Sequence, residues 1–269
     1  MNQISVVIVS FNEEKNIGRC IDSVRWVADE IIVMDSYSTD ATVAIAREKG
    51  AIVLQEPFTG YVQQKNKTIP LAKYNYVLSL DADEALSIEL ADAILEAKRH
   101  SNFRGFTMKR CSRFCGRFIR HGLWYPDKKL RLFDKRIGHW GGLNPHDVVV
   151  LPADEPVQHL EGEILHFAFD SMTEYLERND VISSIAAQSL FDRGKKVPGY
   201  KIILSPLWAF VNGYLLRLGF LEGYNGLLIA IHSAKQSYMK YFKLKQLLRK
   251  APIMKHAALS MAQPVEAVL

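Results

Sequence analysis

The chain has 269 residues, of which 48% are hydrophobic and 23% charged. This composition is typical of a globular protein and excludes an intrinsically disordered one. Its 34 lysines and arginines exceed its 29 aspartates and glutamates only mildly, for a net charge of +5. Cys20, Cys111 and Cys115 lack the spacing of a metal finger, so reduced thiols are expected. No signal peptide precedes the first predicted strand, and we expect the protein to face the cytoplasm.

Apolar strands alternate with helical patterns through the first hundred residues. The runs of apolar and β-branched residues predict strands over residues 4–9, 31–34, 51–54 and 76–80. The intervening patterns predict helices from Ile17 to Val24, over 41–49 and over 60–71. Strands that alternate with helices imply a parallel sheet covered on both faces, and hence an α/β fold.

The pattern changes after about residue 100. Residues 101–170 are rich in aromatic residues and arginines, a composition that indicates short strands and functional loops. Residues 164–167 predict one more strand, with His166 near its end. From Ser171 onward the pattern is helical. The chain is therefore expected to have three parts: residues 1–100, 101–170 and 171–269.

Two apolar stretches lie in the helical part. Residues 202–216 contain no charged residue, and residues 220–231 contain only Glu222. Each is shorter than the ~20 apolar residues of a membrane-spanning helix, so we predict interfacial or core-packed helices. Residues 235–255 then carry seven lysines and arginines and no acidic residue. Apolar helices followed by a basic segment favour an anionic membrane surface over nucleic acid as the partner.

The segment Leu80-Asp81-Ala82-Asp83-Glu84 places three carboxylates directly after a buried strand. Like charges packed this closely repel one another, and nothing in the apolar run neutralises them. If the segment is extended, Asp81 and Asp83 project to the same side, so one can meet a sugar hydroxyl and the other a hard metal ion. The alternative is a solvated acidic turn. Ligands of open α/β sheets bind at the carboxyl ends of the strands, which favours the functional interpretation.

Four other positions are candidates for the same site. Asp35 ends the second strand, where a carboxylate can accept the imide N–H of a uracil, or it is simply a turn residue. Lys65 is a candidate cation for a diphosphate, because the glycine-rich motifs of dinucleotide-binding and P-loop proteins are both absent. Asp147, after His146, can act as a general base if it reaches an acceptor hydroxyl. His166 suits a divalent metal, although a lone histidine is more often only hydrogen-bonded.

Four motifs in order resemble those of family 2 glycosyltransferases with a GT-A fold. They are Val7-Ile8-Val9-Ser10-Phe11-Asn12-Glu13-Glu14, Asp35-Ser36-Tyr37-Ser38-Thr39-Asp40, Gln64-Lys65-Asn66 and Leu80-Asp81-Ala82-Asp83-Glu84. Later segments are similar to the bacterial subgroup that adds glucose to the inner core of lipopolysaccharide. These are Trp124-Tyr125-Pro126, Arg131-Leu132-Phe133, Pro145-His146-Asp147, His166-Phe167 and Leu218-Gly219-Phe220-Leu221-Glu222-Gly223-Tyr224.

The resemblance implies a role for each matching residue. Ser10, Glu13 and Asp35 would line the nucleoside pocket, and Lys65 would approach the base or the diphosphate. Asp81 would contact ribose or sugar, Asp83 would hold Mg²⁺ or Mn²⁺ on the diphosphate, and His166 would complete the metal sphere. Contacts to the acceptor would come from Arg110, Trp124, Tyr125, Arg131 and His146. Two departures stand out: the subgroup has His-Glu where this chain has His146-Asp147, and a small residue where it has Tyr37.

The implied reaction is a transfer of a hexose, with glucose as the leading candidate, from a UDP-sugar with inversion at the anomeric carbon. Asp147 would take the proton of the attacking hydroxyl, while the metal would stabilise the departing diphosphate. Residues 1–100 would then bind the nucleotide-sugar, residues 101–170 the acceptor, and residues 171–269 the inner face of the bacterial inner membrane. Arginines at 110, 113, 117, 120 and 131 suit a phosphorylated glycolipid acceptor, since guanidinium groups recognise phosphate well.

Two alternative functions remain open on sequence alone, and a third is disfavoured. The acceptor can instead be a polyprenyl phosphate or a capsule or exopolysaccharide glycan, which the apolar helices would also suit. The chain can also be a non-catalytic nucleotide-sugar-binding protein attached to the membrane. A sugar-nucleotide pyrophosphorylase is disfavoured, because that class expects a glycine-rich, arginine-containing loop where this chain has Ser10-Phe11-Asn12-Glu13.

Overall fold

The computed structural model describes the backbone of residues 3–143 and 146–261, and the side chains of residues 3–142 and 147–250. The chain divides into two compact units, Met1–Ser171 and Met172–Leu269. The functions assigned above to residues 1–100, 101–170 and 171–269 stay predictions.

The first part of unit one alternates strands and helices, as predicted. In chain order the elements are β1 (Ile4–Ser10), α1 (Ile17–Val24), β2 (Glu30–Asp35), α2 (Thr42–Glu48), β3 (Ile52–Gln55), α3 (Tyr61–Thr68), β4 (Tyr76–Asp81), β5 (Glu84–Leu86) and α4 (Ile88–His100). The helix predicted over 60–71 is α-helical only to Thr68 and continues as a 3-10 turn, Ile69–Leu71. Pro70 explains the change, because proline lacks the backbone N–H that would donate to the Asn66 carbonyl oxygen in a continuing α-helix.

The second part of unit one is built mainly from strands. They are β6 (Gly105–Phe114), β7 (Arg117–Phe118), β8 (Asp127–Asp134), β9 (His139–Leu143), β10 (His146–Val150) and β11 (Val157–Phe169). The strand predicted over 164–167 is confirmed, but it is 13 residues long. His166 therefore lies inside β11 rather than at its end.

Within the described residues the main sheet has nine strands, in the order β3-β2-β1-β4-β8-β6-β11-β5, with β7 beside β6. The first four in this order are mutually parallel, as predicted. In the second half β11 is parallel to β6, whereas β8 is antiparallel to both β4 and β6, and β5 is antiparallel to β11. The α/β fold is therefore built on a mixed sheet. Helices connect the parallel strands of the first half, whereas β6 and β11 are joined through the strands β7 to β10.

Both faces of the parallel half are buried, also as predicted. Alternate residues of β1 contribute to two separate cores: Ile4, Val6 and Ile8 pack with α1 and α4, and Val7 packs with Ile32 and Val77. Ser10 pairs with Asp35 across β1 and β2, and Val9 pairs with Asp81 across β1 and β4. The carboxyl ends of these three strands consequently meet at one edge of the sheet.

Gly162 allows β11 to pass close to the start of α4. The register between β11 and β6 shifts after His159, and Gly162 has a φ of +94°. A Cβ atom at this position would lie 2.3 Å from the backbone nitrogen of Leu90. The neighbouring Glu163 is held by Ser87, whose backbone N–H donates to the Glu163 carbonyl oxygen at 2.9 Å. Ser87 also caps α4 by accepting from the Leu90 N–H.

Unit two is helical: α5 (Met172–Asp192), α6 (Gly199–Val211) and α7 (Gly223–Met261), with irregular turns between α6 and α7. None of the 13 residues of α6 is buried. Among the described residues no single helix is both long and apolar enough to cross a membrane. Gly199–Leu216 and Gly219–Lys250 meet that criterion only as a pair, with a bend of 73° between them.

Candidate active site

The loops that follow β1 and β2 are cross-linked by hydrogen bonds. The Asn12 N–H donates to Ser38 Oγ at 2.8 Å, and the Thr39 N–H donates to Asn12 Oδ1 at 2.8 Å. Within this framework Glu13 accepts a hydrogen bond from Asn16 Nδ2 at 2.7 Å. Tyr37 has a φ of +60°, so the turn keeps a left-handed conformation although the residue is not glycine.

Asp35 is fully buried beside Ser10 at the end of β2. One carboxylate oxygen accepts from the hydroxyls of Ser10 and Ser38, and the other accepts from the Ser38 N–H and from Gln55 Nε2. A carboxylate offers about four acceptor sites, and all are engaged here. The predicted hydrogen bond from a uracil imide stays a prediction, and it would have to replace one of these donors.

The three carboxylates after β4 are separated rather than clustered. Asp81 is the last residue of β4, Ala82 and Asp83 form a turn, and Glu84 begins β5, so the alternation expected of an extended segment does not apply. Two of the three charges are neutralised by the protein itself. The repulsion expected between the three carboxylates is thus relieved largely by residues from other elements, without a bound cation.

Asp81 lies between two buried cations. Lys65 Nζ is 2.8 Å from Oδ1, and Arg131 Nη2 is 3.1 Å from Oδ2. Burial alone would raise the pKa of Asp81, but the charges of Lys65 and Arg131 outweigh burial and hold the pKa well below its usual range. Asp81 is therefore ionised at neutral pH, with acceptor capacity left on each oxygen.

Glu84 and Arg131 form the buried centre of the site. Glu84 Oε1 lies 2.9 Å from Arg131 Nη2 and 3.2 Å from Arg110 Nη1. Arg131 is only 3% exposed. Burial acts to lower the pKa of Arg131, and the nearby Glu84 and Asp81 carboxylates reverse that effect and raise it. Arg131, predicted to contact the acceptor, thus has both carboxylates as partners, while Arg110 also pairs with Asp127 at 2.8 Å.

Asp83 faces β11. Its Oδ2 lies 3.3 Å from His166 Nε2, and the other ring nitrogen of His166 is 3.0 Å from Ser112 Oγ. The Phe167 N–H donates to the Asp83 carbonyl oxygen at 2.8 Å, which fixes the turn against the strand. The two predicted metal ligands are therefore adjacent. Among the described residues no group of three or more His, Cys, Asp or Glu side chains is arranged for a metal ion.

Asp147 is carried by the hairpin of β9 and β10, where it opposes Gly142. Its Oδ2 accepts from Lys65 Nζ at 2.7 Å, so Asp147, the predicted base, and Asp81, predicted to contact the donor, share one lysine. The preceding residue, His146, was predicted to contact the acceptor, but its side chain lies outside the described residues.

The remaining candidates for acceptor contact lie between β6 and the start of β8. Trp124 packs edge-on against Phe114, with ring centroids 5.6 Å apart. The Tyr125 hydroxyl donates to Glu163 Oε1 at 2.9 Å, and burial together with this hydrogen bond raises the pKa of Tyr125 to about 12. The other arginines include Arg113, paired with Asp170, and Arg120, paired with Glu163. Arg117 is exposed.

Sequence reasoning overlooked three supporting residues. Glu84 was not singled out as a partner for Arg131, Ser112 was not expected beside His166, and Asn66 was noted only as part of a motif. Asn66 accepts from the Trp140 N–H at 2.9 Å and donates to the Trp140 carbonyl oxygen at 2.7 Å, which ties α3 to β9. Only the position of Asn66 next to Lys65 could have drawn attention to it.

Comparison with known proteins extends these observations. The model of glycosyl transferase family 2 matches residues 5–150. An uncharacterized glycosyltransferase of Rickettsia typhi is 30% identical over 261 residues, covering 93% of this chain and 89% of that protein. The lipopolysaccharide core biosynthesis glycosyltransferase LpsC of Rhizobium meliloti is 26% identical, covering 88% and 93%. The solved structure of glucosyl-3-phosphoglycerate synthase from Mycobacterium tuberculosis, in complex with Mn²⁺, UDP and glucosyl-3-phosphoglycerate, matches with a TM-score of 0.48 and 18% identity, covering 74% and 82%.

The family model spans more than half of the chain, and the Rickettsia relative extends the match over nearly all of it. The matched segment contains β1, β2 and β4, whose carboxyl ends carry Ser10, Asp35 and Asp81. The family resemblance and the fold class predicted from the sequence are confirmed. This chain belongs to glycosyl transferase family 2 and has the GT-A fold, an α/β domain followed by a helical carboxyl-terminal region.

Proposed function

We propose that this protein is an inverting hexosyltransferase that moves a sugar, with glucose as the first candidate, from a UDP-sugar to a heptose of the lipopolysaccharide inner core. One observation carries the proposal: Lys65 joins Asp81, at the carboxyl end of β4, to Asp147, a carboxylate suited to act as a base. Donor recognition and proton removal are thereby brought to one place. Similarity to LpsC over most of both chains supports lipopolysaccharide core as the acceptor class.

Asp147 is the proposed general base. It would remove the proton from an acceptor hydroxyl as that oxygen attacks the anomeric carbon, while the bond from that carbon to the diphosphate oxygen breaks and UDP departs. A base must lie within hydrogen-bonding reach of the proton it takes, and such catalysis typically contributes about 10²–10⁴-fold to the rate. Asp147 is largely buried and its carboxylate is held by Lys65, an arrangement that supports a positioned base.

Asp83 and His166 fit a divalent cation, Mg²⁺ or Mn²⁺, shared with the donor. Magnesium is commonly held by one or two protein carboxylates together with substrate phosphates, so three or more protein ligands are not required. Ser112 beside His166 Nδ1 leaves Nε2 directed toward Asp83, the orientation that supporting hydrogen bonds give to metal-binding histidines. When bound, the ion would supply Lewis-acid stabilisation of the negative charge on the departing diphosphate.

Ser10, Glu13 and Asp35 are proposed to line the nucleoside pocket. Because their loops are cross-linked through Asn12, the pocket is held in place by the protein before any ligand arrives. For the acceptor, Arg110, Trp124, Tyr125 and His146 remain proposed contacts. Arg131 also remains a proposed contact: its Nη2 is held by Asp81 and Glu84, while its buried Nε and Nη1 have no hydrogen-bond partner among the described residues.

The test is an assay of UDP release from a panel of UDP-sugars with Mg²⁺ or Mn²⁺, using heptose-terminated lipopolysaccharide or polyprenyl phosphate as acceptor. We expect turnover with UDP-glucose and the lipopolysaccharide acceptor, and its loss on chelation of the metal. Asp83→Ala should abolish transfer with any divalent ion while the protein stays folded. Asp92→Ala, which removes an exposed carboxylate of α4, is the matched control and should leave the rate unchanged.

The outcomes separate the candidate functions. Turnover only with polyprenyl phosphate would replace the acceptor and keep the enzyme class. Binding of UDP-sugar without any release of UDP would indicate a non-catalytic binding protein. Full turnover by Asp83→Ala would remove the metal role from this residue.

We further propose that unit two attaches the protein to the inner face of the bacterial inner membrane. Large apolar side chains of α6 are exposed, among them Ile203 at 72% and Trp208 at 61%. From 193 to 221 the chain carries five lysines or arginines and no acidic residue. Exposed apolar side chains grouped on one helix are typical of an interaction site, and the neighbouring lysines and arginines favour anionic lipid.

Vesicle flotation tests the membrane proposal. The full-length protein should float with vesicles that contain phosphatidylglycerol and much less with vesicles of phosphatidylcholine alone. Equal flotation with both would remove the role of the basic residues. Flotation with neither would remove the membrane proposal and leave the assignment of the enzyme intact.

A further inference from the structure

Lys65 forms the most deeply buried lysine–carboxylate ion pairs among the described residues of unit one. Its side chain is 2% exposed, and Nζ lies 2.8 Å from Asp81 Oδ1 and 2.7 Å from Asp147 Oδ2. A buried charge is costly unless it is paired, and here a single ammonium is paired twice. The two partners lie far apart in sequence, on β4 and on the β9–β10 hairpin.

The donors of Lys65 are already engaged by the protein. An ammonium group has three N–H donors, two of which are used by Asp81 and Asp147. The ring of Trp140 covers Nζ as well, with its centroid 4.3 Å away, a distance suited to a cation–π contact. A contact from Lys65 to a nucleotide, as family resemblance implies, would therefore have to use the third donor at the expense of the Trp140 contact or break an ion pair.

The hairpin that carries Asp147 depends on α3 for its placement. Among the described residues β9 and β10 form a two-stranded sheet of their own, outside the main sheet. Two consecutive residues of α3 hold it: Asn66 binds both backbone groups of Trp140 on β9, and Lys65 binds Asp147 on β10. Asn66 ties the backbone of β9 to α3, and Lys65 ties β10 to α3 through the Asp147 carboxylate.

We propose that Lys65 is a positioning residue for the catalytic base: by bridging Asp81 and Asp147 it holds the base beside the donor-binding carboxylate. This inference rests on the proposed function, because it takes Asp147 to be the base. Lys65 then acts through Asp147 and not through the nucleotide. Small displacements of a reacting group lower rates by orders of magnitude, so loss of this bridge should affect turnover more than binding.

A double-substitution cycle tests the proposal. Lys65→Met, Asp147→Asn and the combination are compared with the unaltered protein for kcat in single-turnover transfer and for the Kd of UDP. We expect Lys65→Met to lower kcat about 10–100-fold in the unaltered background, to change the Kd of UDP less than about threefold, and to have almost no further effect on kcat when Asp147 is already Asn. Lys67→Met, which removes an exposed lysine of the same helix that pairs with Glu56 at 3.4 Å, is the control and should behave like the unaltered protein.

Equal losses from Lys65→Met in both backgrounds, or a large rise in the Kd of UDP with little change in kcat, would overturn the proposal in favour of a nucleotide contact. If Lys65→Met does not fold, Lys65→Arg replaces it, because arginine keeps the charge but alters its geometry. The same split applies to that variant: a lower kcat with unchanged Kd supports positioning, and the reverse opposes it.

A readout that does not need turnover separates this inference from the proposed function. Hydrogen exchange of the backbone amides in residues 139–143 and 147–150 should accelerate about tenfold or more in Lys65→Met and stay unchanged in Lys67→Met. If the unaltered protein transfers no sugar but exchange accelerates, the proposed function fails while Lys65 still holds the hairpin. If transfer is observed and exchange does not change, Lys65 is not what positions Asp147.

Discussion

The two units of this chain place their side chains in opposite ways. Unit one buries charges: Lys65, Glu84 and Arg131 are almost completely removed from solvent, with Lys65 paired to Asp81 and Arg131 paired to both Glu84 and Asp81. Unit two exposes apolar groups on α6, where Ile203, Leu207 and Trp208 all face outward. Neither arrangement is favoured by folding alone, since burying charge and exposing apolar surface both cost free energy. Each therefore marks a place where function has shaped the chain.

The largest effect on activity is expected at Asp147, which is paired with the buried Lys65. Asp147→Asn removes the proposed proton acceptor while keeping a side chain of the same size, so kcat should fall about 10³-fold, within the range typical of general-base catalysis. The Kd of the UDP-sugar should change little, because Asp147 would act on the acceptor. Transfer kinetics and calorimetric titration measure the two quantities. A variant that loses donor affinity but keeps kcat would move Asp147 to the nucleotide site.

The carboxylate of Glu84, at the centre of the buried charges, should matter for stability. Glu84→Gln removes the charge that Arg131 and Arg110 share, leaving Arg131 with Asp81 and Arg110 with Asp127, and breaking a buried pair in this way costs about 3 kcal/mol of unfolding free energy. Urea denaturation followed by circular dichroism measures the loss. The control is Glu161→Gln, since the Glu161 carboxylate is exposed and 3.7 Å from Lys109; that change should stay within about 0.5 kcal/mol. Equal losses of unfolding free energy for the two variants would show that the buried carboxylate contributes no more to stability than an exposed one.

For unit two the corresponding substitution is Trp208→Glu. Replacing an exposed apolar ring with a carboxylate should lower partitioning into phosphatidylglycerol vesicles about tenfold, because burial of a large apolar side chain contributes roughly 1.5–3 kcal/mol. Its matched control is Trp26→Glu in unit one, where the tryptophan is 80% exposed but lies outside α6. Vesicle flotation compares them. A similar decrease for both variants would mean that α6 is not the surface that meets lipid.

The smallest effect is expected at Tyr37, whose φ of +60° is a left-handed conformation. That conformation costs a non-glycine residue about 1–2 kcal/mol, and glycine avoids it while losing about 0.5–1 kcal/mol to its greater freedom when unfolded. Tyr37→Gly should therefore raise the free energy of unfolding by no more than about 1 kcal/mol. Tyr37→Ala keeps the unfavourable conformation and should give no gain. A loss above 1 kcal/mol for the glycine variant would show that the Tyr37 side chain stabilises the turn.

The sequence predicts features that depend on neighbouring residues better than contacts between residues far apart in the chain. The strands β1 to β4 and the ends that carry Ser10, Asp35 and Asp81 follow from local periodicity, and they are confirmed. The pairing of Lys65 with Asp147 joins residues 82 positions apart, and that of Glu84 with Arg131 joins residues 47 apart. No local pattern encodes such contacts, so the acidic segment was expected to need an external cation. The mixed half of the sheet was missed for the same reason, because strand direction there is set by pairing between distant segments.

Gly162 is the position of β11 at which we expect no other amino acid to be accepted. Its missing side chain lets β11, the strand that carries His166, run against the backbone of Leu90, and a single added carbon would collide there with main-chain atoms that have no rotamer to change. In a library that samples all twenty amino acids at each position of this strand, position 162 should return glycine alone. Substitutions of His166, four residues later, should leave the protein folded. In one such library, position 162 would therefore report on folding and position 166 on activity.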